Sequence, residues 1–187
     1  MSTPASSTPV VPAAAALTAA TEHTLRDGTV VTLRPLQRSD AELERRFISE
    51  LSPQSRRYRF LGQIGCPSEA LITQLTTVDF VHDVAFVAVI AGAQGEREAG
   101  VARYSRSPDG SRCECAVAVS DEMQGQGLGT LLMQRLITVA RAHGIGEMIS
   151  VDAAENSAMR DLALALGFSR SADPQDACQV VHRLALQ

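Results

Sequence analysis

Between Glu114 and Gly129 the chain reads ECAVAVSDEMQGQGLG, and the spacing of its glycines is the first sign of chemistry. An alternating run of small apolar residues, read as a strand, passes through a short polar turn into Gln124-Gly125-Gln126-Gly127-Leu128-Gly129. A helix is then predicted at once, with Thr130-Leu131-Leu132-Met133. Glycines at alternate positions let the backbone approach a ligand with no Cβ in the way. The N–H groups of a first helical turn lack intrahelical acceptors and carry the positive end of the helix dipole. Such a turn cradles an anion, most naturally a phosphate or pyrophosphate.

Other glycine loops fit less well. A P-loop places a lysine after its last glycine, and all 17 basic side chains of this chain are arginine. A dinucleotide fingerprint needs G-x-G-x-x-G in an early strand–turn–helix unit, with an acid about 20 residues on. Here the spacing is G-x-G-x-G, the unit lies in the second half of the chain, and Glu147, near the required offset, opens a strand. Taken alone, the loop could also be only a connection between strand and helix.

The loop has company elsewhere in the chain. Gln124-x-x-Gly127-x-Gly129 resembles the [Gln/Arg]-x-x-Gly-x-[Gly/Ala] signature of the GNAT superfamily of acyl-CoA-dependent N-acetyltransferases. Asn156-x-x-Met159-x-x-Leu162 followed by Leu166-Gly167-Phe168 is similar to the later half of that domain. Leu33-Arg34-Pro35-Leu36 with Ser39-Asp40 is similar to its opening strand and first helix cap. The segments Leu51-Ser52-Pro53 to Arg59-Phe60 and Leu75 to Asp79 resemble the acetyltransferase domain of bacterial protein lysine acetyltransferases. The likeness runs from residue 24 to 187 in consistent order.

The resemblance implies acetyl-CoA as cosubstrate, no metal, and acetyl transfer to a primary amine, a protein lysine or a small amine. It also implies a strand that splays from its neighbour, so that the backbone of Val117, Ala118 and Val119 pairs with the pantetheine arm. The backbone of Gln124, Gly125, Gln126, Gly127, Leu128, Gly129 and Thr130 would hold the pyrophosphate. Glu114 is the expected general base, since burial raises a carboxyl's pKa toward that task. Asn156 caps a helix and, by resemblance, also reaches the pantetheine. Many relatives carry a tyrosine seven positions after this asparagine to protonate the leaving thiolate. Here that residue is Ala163, and the only tyrosines are Tyr58 and Tyr104. The thiolate then leaves unprotonated, as its modest basicity allows, or another group serves. A catalytically weak acyl-CoA sensor is the other reading.

Composition narrows the class. With 187 residues, 45% hydrophobic and 20% charged, the chain suits one globular domain of ordinary size. A net charge of -4 with no dense basic stretch argues against nucleic acid as a partner. No apolar run is long enough for a membrane helix. Cys66, Cys113, Cys115 and Cys178 form no C-x-x-C pair, which disfavours zinc, and they read as small buried residues in a reducing cytoplasm. A homodimer is compatible with this composition.

The elements that must position these residues follow from the pattern. Residues 1–22, rich in Ala, Ser, Thr and Pro, are expected to be a flexible tail, and 23–187 the acetyltransferase domain. A hairpin turns at Asp27-Gly28. Three short helices follow, with Ser39 and Glu42 expected as a capping box for the first and Ser68 as cap of the third. Three antiparallel strands lead into the glycine loop, with residues 92–98 read as a polar turn. Helix 128–143, strand 147–153, helix 156–166 and strand 179–186 complete an α+β domain, a mostly antiparallel mixed sheet with helices on both faces.

Overall fold

The computed structural model describes residues 17–62, 65–92 and 95–186. Eight strands make one sheet: β1 (Thr21–Thr24), β2 (Val30–Pro35), β3 (Asp83–Gly92), β4 (Gly95–Arg106), β5 (Arg112–Val119), β6 (Glu147–Ala153), β7 (Ser169–Ala172) and β8 (Gln179–Ala185). Their order is β1-β2-β3-β4-β5-β6-β8-β7. Every neighbouring pair is antiparallel except β5 with β6. Helices α1 (Ala41–Glu50), α2 (Pro53–Phe60) and α3 (Glu69–Thr76) lie between β2 and β3. Helix α4 (Leu128–Ala142) connects β5 to β6, and α5 (Ser157–Ala165) follows β6.

The continuous apolar run of β3 is explained by cover on both of its faces. Val84, Phe86 and Ala88 share a core with Leu132, Met133 and Leu136 of α4. Ala85, Val87 and Val89 face the other way, with Leu36 and the half-buried Leu43 of α1. On that second face Phe47, Ile48 and Leu51 of α1 meet Ile72 and Leu75 of α3 over Val101 and Ala118. Burying each large aliphatic or aromatic side chain is worth about 1.5–3 kcal/mol, so the helical faces are pinned to the sheet by these stripes.

Several local expectations need correction. β1 begins at Thr21, paired with Leu33, Leu17 packs against the core, and Arg135 donates to the Ala19 carbonyl at 2.5 Å. Residues 17–22 are thus joined to the sheet and its core, while residues 1–16 of the expected tail lie outside the described residues. Ser39 does not cap α1. The cap position falls to Asp40, whose carboxylate takes both guanidinium arms of Arg34 at 2.8 and 2.9 Å and the Gln37 N–H at 2.8 Å. Glu42 pairs with Arg45 instead.

Residues 95–98 are strand, not turn. A bulge shifts the β3–β4 register from Ala88↔Gly100 to Val89↔Glu98 and carries Glu98 inward. Beside that bulge a Cβ on Gly100 would lie 2.8 Å from the Ala118 carbonyl oxygen, so β4 and β5 approach as closely as only glycine permits. Ser68 caps α3 as expected, accepting from the Leu71 N–H at 3.2 Å. β7, an exposed four-residue edge strand, went unforeseen. Cys113 and Cys115 are buried, but Cys66 and Cys178 are exposed.

Candidate active site

The site begins where the sheet comes apart. β5 and β6 are paired only at Arg112↔Glu147, Cys113↔Met148 and Glu114↔Ile149. β4 stays bonded to β5 as far as Gly100↔Val119, and β8 to β6 as far as Ala153↔Gln179. Beyond Glu114, then, one edge of β5 faces an open V. Val117, Ala118 and Val119 lie on its free arm, three to five residues past the last pair, roughly 10–17 Å at strand rise. A cleft of about 610 Å³ fills the V, lined by those three residues, the glycine loop, one side of α2, Asp152, and the start of α5.

The loop has the geometry its glycines predict. Gly125 and Gly127 sit at φ +76° and +92°, the left-handed region that an L side chain enters at a cost of about 1–2 kcal/mol. The first helical bond of α4 runs from the Leu131 N–H to the Gly127 carbonyl at 3.1 Å, so the N–H groups of Leu128, Gly129 and Thr130 have no intrahelical acceptor. A Cβ on Gly129 would come within 3.3 Å of Leu162, so this glycine also lets α5 pack against the start of α4. Gly125, Gly127, Gly129 and Thr130 line the cleft. Gln126 and Leu128 do not, and Leu128 is buried in the core. The Gln124 side chain ties the loop down, donating to Ser55 Oγ and the Val119 carbonyl at 3.3 Å each.

The wall opposite the loop is α2, with Gln54, Ser55, Tyr58 and Arg59 toward the cleft. Asp121 holds its first turn, accepting from the Ser52 N–H at 2.8 Å, Ser52 Oγ at 2.7 Å and Ser55 Oγ at 2.6 Å. Burial alone would raise the Asp121 carboxyl, but those hydrogen bonds hold it below the usual carboxylate range. Arg57 pairs with Glu155 across the mouth of the cleft. Within the wall, burial and the nearby Arg103 charge bring Arg59 down to about 10 against the pull of Glu44 and Glu98.

The sequence reading missed two participants. Arg26, in the β1–β2 turn, donates to the Gly125 carbonyl at 3.4 Å and sets a cation beside the anion cradle. Asp152 lines the far arm of the V. Its Oδ2 accepts from Ser150 Oγ at 2.7 Å and lies 3.0 Å from His182 Nδ1.

Asn156 caps α5, accepting from the Met159 N–H at 3.1 Å, and also lines the cleft. Glu114 stands apart. It is exposed at the foot of the V and outside the cleft lining, on the face of β5 opposite Cys113 and Cys115. Only Ala116 separates it from Ala118 on that face. Tyr104 is buried against His143, 2.7 Å from its Nδ1, and cannot reach the cleft. Burial pushes the Cys113 thiol up to about 12 and the Cys115 thiol well above its ordinary range, which makes both inert. Among the described residues no cluster of His, Cys, Asp and Glu could hold a metal ion, and no helix is long and apolar enough to cross a membrane.

The glycine turn at the N-terminus of α4 thus opens beside a splayed parallel strand pair. Residues 56–168 match the profile of the Acetyltransferase (GNAT) family. The chain belongs to that family and is an enzyme of the acyltransferase class. It is 49% identical over 164 residues to Acetyltransferase PA5475 of Pseudomonas aeruginosa, covering 88% of each chain. To Acetyltransferase Pat of Mycolicibacterium smegmatis it is 29% identical over 143 residues, 76% of this chain but 42% of that protein. Its fold superposes on the GNAT domain of S. lividans PAT with a TM-score of 0.81 at 26% identity, covering 94% of this chain and 99% of that one.

Proposed function

We propose that the protein transfers the acetyl group of acetyl-CoA to a primary amine, the side-chain amine of a protein lysine. The open arm of β5 running directly into the glycine turn carries this reading. The turn suits a pyrophosphate, and the unpaired strand edge suits the amides of a pantetheine arm. Asn156, at the head of α5, is placed to reach the same arm. A backbone N–H of Val117 to Val119 would hold the thioester oxyanion.

The acceptor enters over the alanine floor of β5. Glu114 takes a proton from its ammonium through water, and the freed amine attacks the thioester carbon. The segments from Leu51 to Phe60 and Leu75 to Asp79, which resemble protein lysine acetyltransferases, favour lysine over a small amine.

Thiol release from acetyl-CoA, followed with acyl-CoA synthetases, lysine peptides, polyamines and aminoglycosides, tests the reading. Release with a protein or peptide supports the lysine acceptor, release only with a small amine replaces it, and CoA binding without release on any of them favours a sensor. Glu114→Gln is expected to keep CoA affinity and lose turnover by about 100-fold or more, the usual weight of a general base. Unchanged turnover would remove Glu114 from the mechanism.

A further inference from the structure

Acyl transfer from a thioester expels a thiolate, and the cleft must supply or forgo a proton for it. Resting on the acetyl-transfer reading above, the side chains lining the cleft can be sorted by what they could give. Arg26 is a guanidinium, which does not surrender its proton in proteins, and Arg59, though burial lowers it, is held as a cation by the Glu44 and Glu98 charges beside it. Asp121, Asp152 and Asp161 are carboxylates, each already accepting hydrogen bonds. Ser55, Thr130 and Ser157 offer only alcohol hydroxyls. The remaining acidic proton is the phenol of Tyr58. Phenols, near 10, lie closest among these groups to a thiol's about 8.5, so the transfer is close to balanced.

Three observations favour Tyr58 beyond elimination. Gln54 Nε2 donates to its phenol oxygen at 2.8 Å, so that oxygen is already an acceptor and its own proton is left to point elsewhere. The Arg57 guanidinium, paired with Glu155, lies 5.9 Å from its ring centroid and holds the ring in place by a cation–π contact. Placement agrees as well. Ser55 is bonded to Asp121 and to Gln124, at the end of β5, and Tyr58 is three residues, about 4.5 Å, further along α2. Tyr58 and the free arm of β5 line the same cleft.

We propose that Tyr58 is the general acid of the transfer and that Gln54 positions it. The ammonium first loses one proton, and its nitrogen pair then forms the C–N bond. When the tetrahedral intermediate collapses, the C–S bond breaks with its electron pair on sulfur. The Tyr58 proton passes to that sulfur to give free CoA. The phenolate, held by the Gln54 N–H, recovers a proton through cleft water as the new amide nitrogen sheds its own. One proton in total leaves to solvent.

Tyr58→Phe tests this, with CoA affinity by calorimetry as the check that the cleft is intact. With acetyl-CoA and the best amine found above, kcat is expected to fall by about 100-fold while the KM for acetyl-CoA stays within about twofold. With the acetyl thioester of 4-nitrothiophenol, whose thiolate needs no proton, the penalty on kcat/KM should shrink to about threefold or less. Gln54→Ala should lower kcat by about fivefold, with the same dependence on leaving group, because it removes one hydrogen bond to the phenolate. A penalty equal for both thioesters would overturn the acid role and leave Tyr58 a packing residue. Wild-type turnover with an unimpaired Tyr58→Phe variant would overturn it while sparing the acetyl-transfer reading. A wild type that transfers to no amine overturns both.

Discussion

Arg26 shows what a single side chain adds to the cradle. The backbone amides of the loop are neutral donors, whereas a guanidinium adds full charge beside them. Its Nε lies 3.8 Å from where a Cβ of Gly127 would be, close against the turn itself. Arg26→Ala is expected to raise the Kd for CoA about five- to tenfold, with kcat little changed. The loss should narrow in high salt, because the pair is exposed and screened. An unchanged Kd in calorimetry would mean that Arg26 only ties the hairpin to the loop. The residue was illegible in the sequence because its contact spans 99 positions and no local spacing marks it. Gly125 and Gly127 were legible for the opposite reason, since their left-handed conformation is a need of the turn alone. Glu114 was singled out from its place before an apolar run, yet that pattern could not tell that it would stand outside the cleft.

At the scale of elements, buried periodic faces were readable and charged or exposed ones were not. The stripes of α1, α3 and α4 repeat at helical spacing, and β6 runs over the residues expected of it. β7 has four exposed residues and therefore no alternation to read. The run Glu96-Arg97-Glu98 imitates a loop, but the bulge turns Glu98 inward against Glu44 of α1, with Arg59 of α2 and Arg103 of β4 nearby. Burial first, and then the Glu44 charge, raises the Glu98 carboxyl well above the ordinary 4.5. Because the folded value exceeds the unfolded one, its contribution to stability is whole below 4.5 and drains away as pH climbs through the folded value. Glu98→Gln keeps a neutral side chain there at every pH. The melting temperature of wild type minus that of the variant should therefore become more negative between pH 6 and pH 9. A difference constant over that range would show that Glu98 does not hold a proton in the folded protein.

For the whole molecule, the same open V that makes a site also makes a seam. Strands β1 to β5 and strands β6 to β8 are joined through only three residue pairs of β5 and β6. Helix α4, whose core stripe shares a cluster with β3 and β4 on one side and with Met148 and Leu184 on the other, and the Arg57–Glu155 pair strap the halves together around the gap. A CoA lying between the arms would replace the missing ladder and cross-link the two halves. Ligand linkage then raises stability by about 2.7 kcal/mol at a concentration of 100 Kd. The gain should appear where the ladder is absent. Amide exchange measured with and without CoA should slow most at residues 116–119, where β5 has no second neighbour, and at the start of α4. β2 and β3, already paired on both sides, should change little. A Gly127→Val variant, strained at φ +92°, should lose that protection and the thermal shift together. Protection spread evenly over all eight strands would instead mean that CoA stabilises the fold from somewhere other than the seam.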